Sequence, residues 1–103
     1  MKWLYWIFIR DYLNIDKNEH VNASILKVCK DNDIQFGWIN GIGAIYDIEI
    51  GYFDVEKKGY VKKKFEEHYE LLSLVGNASI KEGNKFIHTH ITFCGTDYKV
   101  FGG

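Results

Sequence analysis

The sequence has no proline, one arginine and two cysteines, and the scarcity of arginine and of cysteine limits the functions open to it. Arginine provides the bidentate contact that most often reads guanine in the major groove, so a chain whose only arginine is Arg10 is poorly equipped for base-specific recognition. The cysteines, Cys29 and Cys94, form no C-x-x-C pair, which excludes a thioredoxin-like redox motif and a zinc knuckle. Because both lie in apolar stretches, we expect two buried, reduced thiols.

The sequence also lacks a charge excess and a long hydrophobic run. With 13 basic and 14 acidic residues its net charge is -1, whereas free-standing nucleic-acid-binding domains usually carry a basic excess. The apolar start, residues 1–10, is too short to span a bilayer and has no small-residue cleavage site of a signal peptide. We therefore expect no membrane partner and a cytoplasmic protein.

The residues that are present predict one packed domain. A length of 103 residues is close to the commonest domain size, and 47% hydrophobic residues, with 17% aromatic, can build a core. No linker, repeat or low-complexity segment divides the chain, so we expect residues 1–103 to form a single domain.

Hydrophobic periodicity predicts one helix among strands. Residues 3–13 are rich in aromatic and β-branched side chains, as strands are. Residues 19–32 place apolar side chains at helical spacing, with Asn18 as the expected N-cap. The period then changes to two, with turns expected at 54–59 and 81–85. The expected strands cover residues 34–39, 45–53, 60–65, 69–76, 78–80 and 86–94. This pattern predicts an α+β fold, a mainly antiparallel sheet packed with one main helix, in which 69–76 is central.

The pair Gly41-x-Gly43 invites comparison with the dinucleotide-binding fingerprint. That fingerprint needs a third glycine three residues later, followed by a helix, but position 46 is Tyr46 and the next residues alternate like a strand. The glycine pair therefore predicts a tight connection, where φ is positive or two backbones approach closely.

His88 and His90 are the candidate chemical site. Because they are two apart on a predicted strand, their side chains leave the same face, while Ile87, Ile91 and Phe93 point to the core. Two adjacent imidazoles can bind a divalent metal such as zinc, or act as acid and base near neutral pH. The alternative is a surface or interface pair with no chemical role.

A metal site at this pair needs further ligands. Candidates are His68, Glu49, Cys94, a residue of another subunit or one in a missing segment, and Glu49 is also a possible acid or base. On sequence position alone, we expect His20 and His68 to lie at the surface.

Lys62, Lys63 and Lys64, with Lys57 and Lys58 before them, form the basic cluster of the chain. Alternation places the first and third of the triplet on one face of a strand and the second on the other. Such lysines can contact nucleic-acid phosphates in a sequence-tolerant way. The alternative is an edge strand that lysines keep soluble.

An ordered set of motifs runs through the chain: Gly41-Ile42-Gly43-Ala44, Gly51-Tyr52-Phe53, Glu70-Leu71-Leu72-Ser73-Leu74 with Gly76-Asn77, His88-Thr89-His90 and Phe101-Gly102-Gly103. In this order and spacing they resemble the plants-and-prokaryotes-conserved (PPC) domain over nearly the whole sequence. The resemblance implies an α+β fold with a mainly antiparallel sheet, assembly as a homotrimer, and a DNA-associated or regulatory binding role with no defined catalytic activity.

The sequence departs from the family pattern in two places. Plant members carry an AT-hook before the domain, which a chain with one arginine and no proline lacks. The family's histidine cluster carries over to His88 and His90, but its third histidine normally follows the Gly-Gly that is here Gly102-Gly103, where the sequence stops. We therefore expect a PPC-like domain without the last strands usual in the family, and an open strand edge.

Three functions follow as hypotheses. The first is a trimeric binding module that contacts DNA through Lys62, Lys63 and Lys64. The second is a metal-binding protein or metal-dependent enzyme that uses the histidine pair. The third is a sensor with a small-ligand pocket between subunits, lined by Trp38, Tyr46 and Phe53. Because no reaction or catalytic residue is indicated, we expect a binding module more than an enzyme.

Overall fold

A computed structural model describes residues 20–103 of the chain. The described part contains one helix, α1 (Val21–Asp31), followed by four strands: β1 (Gly37–Asp54), β2 (Gly59–Lys81), β3 (Asn84–Cys94) and β4 (Val100–Gly102). The strands form one antiparallel sheet in the order β1-β2-β3-β4. The predicted α+β fold is therefore confirmed. The strand predicted at residues 3–13 lies outside the described residues.

Helix α1 packs its apolar stripe against the sheet, as the helical spacing predicted. Ile25 and Cys29 are buried together with Ala78 of β2, and Val21 and Ile87 border them. The helix begins slightly later than expected: its N-cap is His20, whose side chain makes no capping hydrogen bond. The expected N-cap, Asn18, lies outside the described residues.

Three polar contacts tie the helix segment to β3. Thr89 Oγ1 donates a hydrogen bond to Asn22 Oδ1 at 2.9 Å. Beyond the end of α1, the ammonium group of Lys85 reaches Asp33 Oδ1 at 3.3 Å and the backbone oxygen of Ile34 at 3.2 Å. These contacts hold the helix against one half of β3. Because Thr89 faces the helix, its neighbours His88 and His90 lie on the opposite side of the sheet.

Strands β1 and β2 are longer than periodicity predicted, because each joins segments that we expected to be separate. The Gly41–Gly43 pair does not end a strand, as expected, but forms a bulge within β1. The expected positive φ is present at Gly43, where φ is 151°. A second bulge lies between Tyr46 and Ile48. Bulges bend a strand without ending its pairing, which is why the sheet curls.

An aromatic core lies on the same face of the sheet as α1. Phe93 of β3 is completely buried, and its ring lies 5.0 Å from that of Phe65 and 5.9 Å from that of Phe101. Gly103 continues the pairing of β4 with β3, because it exchanges two backbone hydrogen bonds with Ile91. Losing a fully buried phenylalanine ring costs about 3–5 kcal/mol, so this cluster is a main source of stability.

The two cysteines differ in burial, and neither forms a disulfide. Cys29 is buried, as predicted. Cys94 is only half-buried, contrary to the prediction, because it ends β3 opposite Glu70 and shares the outer face of the sheet with that residue. Among the described residues, no helix is both long and apolar enough to cross a bilayer.

Candidate nucleic-acid interface and histidine pair

The outer face of the sheet is the side turned away from α1 and from the aromatic core. On β3 it presents Phe86, His88 and His90, while Ile87 and Phe93 point inward, so the predicted alternation is confirmed. Across the ladder, His88 pairs with Asn77 and His90 with Val75. On β1 the same face carries Trp38, which is 72% exposed. An apolar, partly aromatic surface therefore surrounds the histidines.

His88 and His90 touch each other through their ring nitrogens. The two Nε2 atoms are 3.1 Å apart, and the ring centroids are 5.0 Å apart with the planes inclined by 44°. This distance permits a hydrogen bond in which one ring nitrogen donates and the other accepts, with the roles set by the tautomers of the two rings. In tetrahedral zinc sites the metal–nitrogen bonds are about 2.0–2.1 Å, which places two nitrogens roughly 3.3–3.4 Å apart. The pair is close to that spacing.

The other predicted ligands lie elsewhere in the fold. The ring of His68 stacks on Tyr46, with centroids 5.1 Å apart. The carboxylate of Glu49 lies 3.9 Å from the ammonium of Lys62. Cys94 lies at the end of β3 opposite Glu70, away from the histidine pair. Residues 20–103 contain no group of three or more histidine, cysteine, aspartate or glutamate side chains that could hold a metal. His20 and His68 are exposed, as predicted.

The predicted nucleic-acid contacts lie on a separate part of the sheet. We call residues 49–64 the basic hairpin: the end of β1, the turn at 55–58 and the start of β2. Here β2 pairs with β1 alone, since its pairing with β3 begins only at Glu70. Lys62, Lys63 and Lys64 are all exposed. The cluster therefore lies on a two-stranded arm, where its side chains are accessible to a large partner.

The register assigns the three lysines to two faces of the arm, as alternation predicted. Lys64 lies opposite Glu49 and Lys62 next to it on the same face. The ammonium of Lys63 lies 5.1 Å from the centroid of the Phe65 ring, on the other face. An exposed ion pair such as that of Lys62 contributes at most about 1 kcal/mol, so it leaves the lysine available to an incoming phosphate.

Sequence reasoning named Phe53 for a pocket between subunits and expected an exposed or edge strand from Tyr60 onward, but it did not join the aromatic residues of the basic hairpin with the lysines as one surface. Tyr52, Phe53 and Tyr60 are 69%, 49% and 63% exposed. The Phe53 and Tyr60 rings meet edge to face, with centroids 5.3 Å apart and planes inclined by 77°. The signal that could have found them was the interleaving of aromatic residues and lysines in 52–64. Periodicity predicted the strands but not that they form an arm with which β3 does not pair.

The residues proposed for a small-ligand pocket do not converge within the protomer. Trp38, Tyr46 and Phe53 are spread along β1, where they lie opposite Asn77, His68 and Tyr60. The described residues therefore offer no pocket built from these three side chains.

Comparison with known proteins identifies relatives of the whole arrangement. The family model for the Plants and Prokaryotes Conserved (PCC) domain matches residues 9–103. A plant- and prokaryote-conserved protein of Pyrococcus horikoshii is 39% identical and superimposes with a TM-score of 0.84, covering 86% of this chain and 62% of its own. No curated protein matches the chain.

Two further solved structures have the same fold. A metal-containing protein of Archaeoglobus fulgidus is 39% identical, with a TM-score of 0.80, over 86% of this chain and 63% of its own. A protein of Bacteroides thetaiotaomicron, described as a candidate DNA-binding protein, is 36% identical with a TM-score of 0.75, over 79% and 57%. The chain thus spans less than two thirds of the length of these structures. With its fold, motifs and family match in agreement, the chain belongs to the Plants and Prokaryotes Conserved domain family.

Proposed function

We propose that the protein is a non-enzymatic, DNA-associated binding module that acts as a homotrimer in the cytoplasm. The observation that carries this proposal is the exposure of Lys62, Lys63 and Lys64 on the basic hairpin. Support also comes from relatives in Bacteroides thetaiotaomicron and Ralstonia eutropha, both described as candidate DNA-binding proteins.

The charge of the basic hairpin accounts for DNA binding by a chain that is acidic overall. Residues 49–64 hold five lysines against three acidic side chains, so this arm carries +2 whereas the whole chain carries -1. Phosphate contacts act locally, because charges more than about 10 Å apart are largely screened at 0.1 M salt. Three arms on one trimer would add avidity without any new contact.

The homotrimer is supported by the family resemblance and by the outer face. Side chains that a monomer would leave in water cluster there around the histidines, including Trp38, Val75 and Phe86. Large exposed apolar patches are typical of interaction sites. Light scattering should give three times the 12.1 kDa mass of the protomer. Trp38→Glu should lower that mass, since the interface would have to bury a charge.

Fluorescence anisotropy with a labelled AT-rich duplex, at low and at physiological salt, tests DNA binding. Each phosphate contact contributes about 0.9 to the slope of log K against log salt concentration. Changing Lys62, Lys63 and Lys64 together to glutamine should therefore reduce both affinity and slope. If the triple variant kept both the affinity and the salt slope of the wild type, the assignment of DNA binding to this surface would be wrong.

The chain offers a matched control triple: Lys27, Lys30 and Lys81 changed to glutamine. Lys27 matches Lys62, because each forms one exposed ion pair. Lys81 matches Lys63, because each ammonium lies near an aromatic ring. Net charge changes equally in both triples, so the comparison separates the position of the lysines from the total charge. Equal losses of affinity would indicate a nonspecific charge effect instead of an interface.

A second candidate function is the binding of a divalent metal by His88 and His90. It is favoured by the 3.1 Å spacing of their Nε2 atoms and by the description of the Archaeoglobus fulgidus relative as a metal-containing protein. The pair fits as two ligands of a site, whose remaining ligands would come from another subunit or from residues outside 20–103. The DNA-associated function is the better supported of the two.

A further inference from the structure

The exposed rings of the basic hairpin have no role in the core and none in a contact with duplex phosphates. We propose that this hairpin binds single-stranded nucleic acid, with Phe53 and Tyr60 stacking unpaired bases and Lys62 and Lys64 contacting the phosphates. The proposal rests on the proposed DNA-associated function and specifies its substrate.

The two rings form a platform that β1 holds in place. A Cβ atom built on Gly51 would lie 3.1 Å from Cδ1 of Tyr60, so the tyrosine ring lies directly over the glycine. The Tyr60 ring is also held by its edge-to-face contact with Phe53. Both rings nevertheless keep about half or more of their surface exposed. Rings already held in position lose little freedom on binding, which favours affinity.

The turn of the hairpin is fixed as well. The backbone N–H groups of Glu56 and Lys57 both donate to Asp54 Oδ1, at 3.0 and 3.1 Å. Lys58 has a φ of 54°, which completes the reversal between β1 and β2. The ends of the two strands, and therefore the paired rings of Phe53 and Tyr60, are held in one relative position.

Lys62 and Lys64 lie on the same face as this platform. Phe53 pairs with Tyr60 and Gly51 with Lys62, and Lys64 follows two residues later. Two residues along a strand correspond to about 6.6–6.8 Å, so the face presents rings first and then two ammonium groups in a row. Tyr52, equally exposed, lies on the opposite face, where it offers an aromatic control outside the platform.

Base stacking distinguishes a single strand from a duplex as the partner. In a duplex the bases are stacked and paired, and only their edges are accessible in the grooves, so two flat protein rings find no base face there. Unpaired bases can stack on aromatic side chains in a sequence-tolerant way. An anionic membrane also presents phosphates, but it offers no unpaired base for the rings to stack on, so it is the alternative partner that the test separates.

The test compares the affinity of the full chain for a labelled single-stranded oligonucleotide, for the duplex of the same sequence and for phosphatidylserine vesicles. Phe53→Leu and Tyr60→Leu should each weaken single-strand binding about fivefold or more, the low end of what a stacked base contributes. Tyr52→Leu should have little effect, and Tyr60→Phe should recover what Tyr60→Leu loses. Circular dichroism confirms that each variant folds.

Tighter binding of the single strand than of the duplex, lost on changing Phe53 or Tyr60, supports the proposal. Lysine-dependent duplex binding that is insensitive to both rings would overturn it and leave the proposed function intact. No binding of either nucleic acid would overturn both. Vesicle binding without single-strand binding would overturn the proposal and indicate a lipid surface as the partner. If Tyr52→Leu weakened single-strand binding as much as Phe53→Leu or Tyr60→Leu, the assignment of base stacking to Phe53 and Tyr60 would be wrong.

Discussion

Among the glycines of the sheet, Gly76 of β2 is the one at which an added methyl group should lower the free energy of unfolding most. It is buried and pairs with Thr89 of β3. A Cβ atom at this position would lie 2.1 Å from the backbone oxygen of His88 and 2.9 Å from Cα of Thr89. Carbon–oxygen contacts between neighbouring strands are normally about 3.3–3.6 Å, so Gly76→Ala requires β2 and β3 to separate locally by roughly 1.2 Å.

The cost of that separation follows from two effects. Ladder hydrogen bonds of about 3 Å would pass the limit of a useful bond, and two such bonds contribute about 0.5–1.5 kcal/mol each. Overpacking adds about 1–3 kcal/mol. We therefore expect Gly76→Ala to lower the free energy of unfolding by about 2–6 kcal/mol, with a central value of about 4 kcal/mol. That is a large part of the roughly 5–15 kcal/mol typical of a domain, and should lower Tm by more than about 10 °C.

Gly41→Ala is the matched control. It lies on β1 opposite Leu74, and a Cβ atom there would meet that residue's Cβ at 3.9 Å, an ordinary contact. Removing a glycine from a strand should then leave stability unchanged or raise it by up to about 1 kcal/mol. Urea denaturation followed by circular dichroism measures both variants, at one protomer concentration because assembly would add stability. A Gly76→Ala protein as stable as the wild type would refute the proposed close approach.

Three further predictions concern turns and the histidine pair. Glu82→Asn should raise the free energy of unfolding by about 0.5–1 kcal/mol in urea denaturation, because Glu82 has a φ of 52° beside Gly83 in the turn between β2 and β3. Asp54→Ala should lower it by about 1 kcal/mol and weaken single-strand binding measured by anisotropy, because two N–H groups lose their acceptor. Chelator-treated protein should take up zinc, detected by elemental analysis, and His88→Ala should abolish uptake; a wild type that takes up none contradicts the metal proposal.

The sequence predicted the fold well where periodicity and turn chemistry agreed. The turn at 54–59 lies between β1 and β2 as expected, and the central part of β2 is paired on both sides. Periodicity failed at Gly41 and Gly43, which were expected to end a strand. A glycine pair permits either a turn or a bulge, and the choice depends on whether a partner strand continues alongside, which is a tertiary property.

The candidate site could be predicted only in part for the same physical reason. That His88 and His90 share a face follows from the two-residue period of a strand, and the structure places them in contact. Whether His68 or Glu49 could join them depends on the curl of the sheet, which no local pattern encodes. The strand that begins at Tyr60 was expected to be exposed or at an edge, but the contact between the Phe53 and Tyr60 rings was not predicted, because it depends on the register of the hairpin.

The geometry of β2 allows the two proposed activities to coexist in one protein. Asn77, beside His88, lies near one end of this strand, whereas Lys62 lies near the other, on an arm that β3 does not reach. Substitutions at distant sites with no shared partner usually have additive effects. Removing the metal should therefore leave nucleic-acid binding intact, and substitutions that abolish nucleic-acid binding should leave metal uptake intact. If one substitution abolished both, their shared requirement would be the assembly itself, because the homotrimer is what the histidine face and the basic hairpin would have in common.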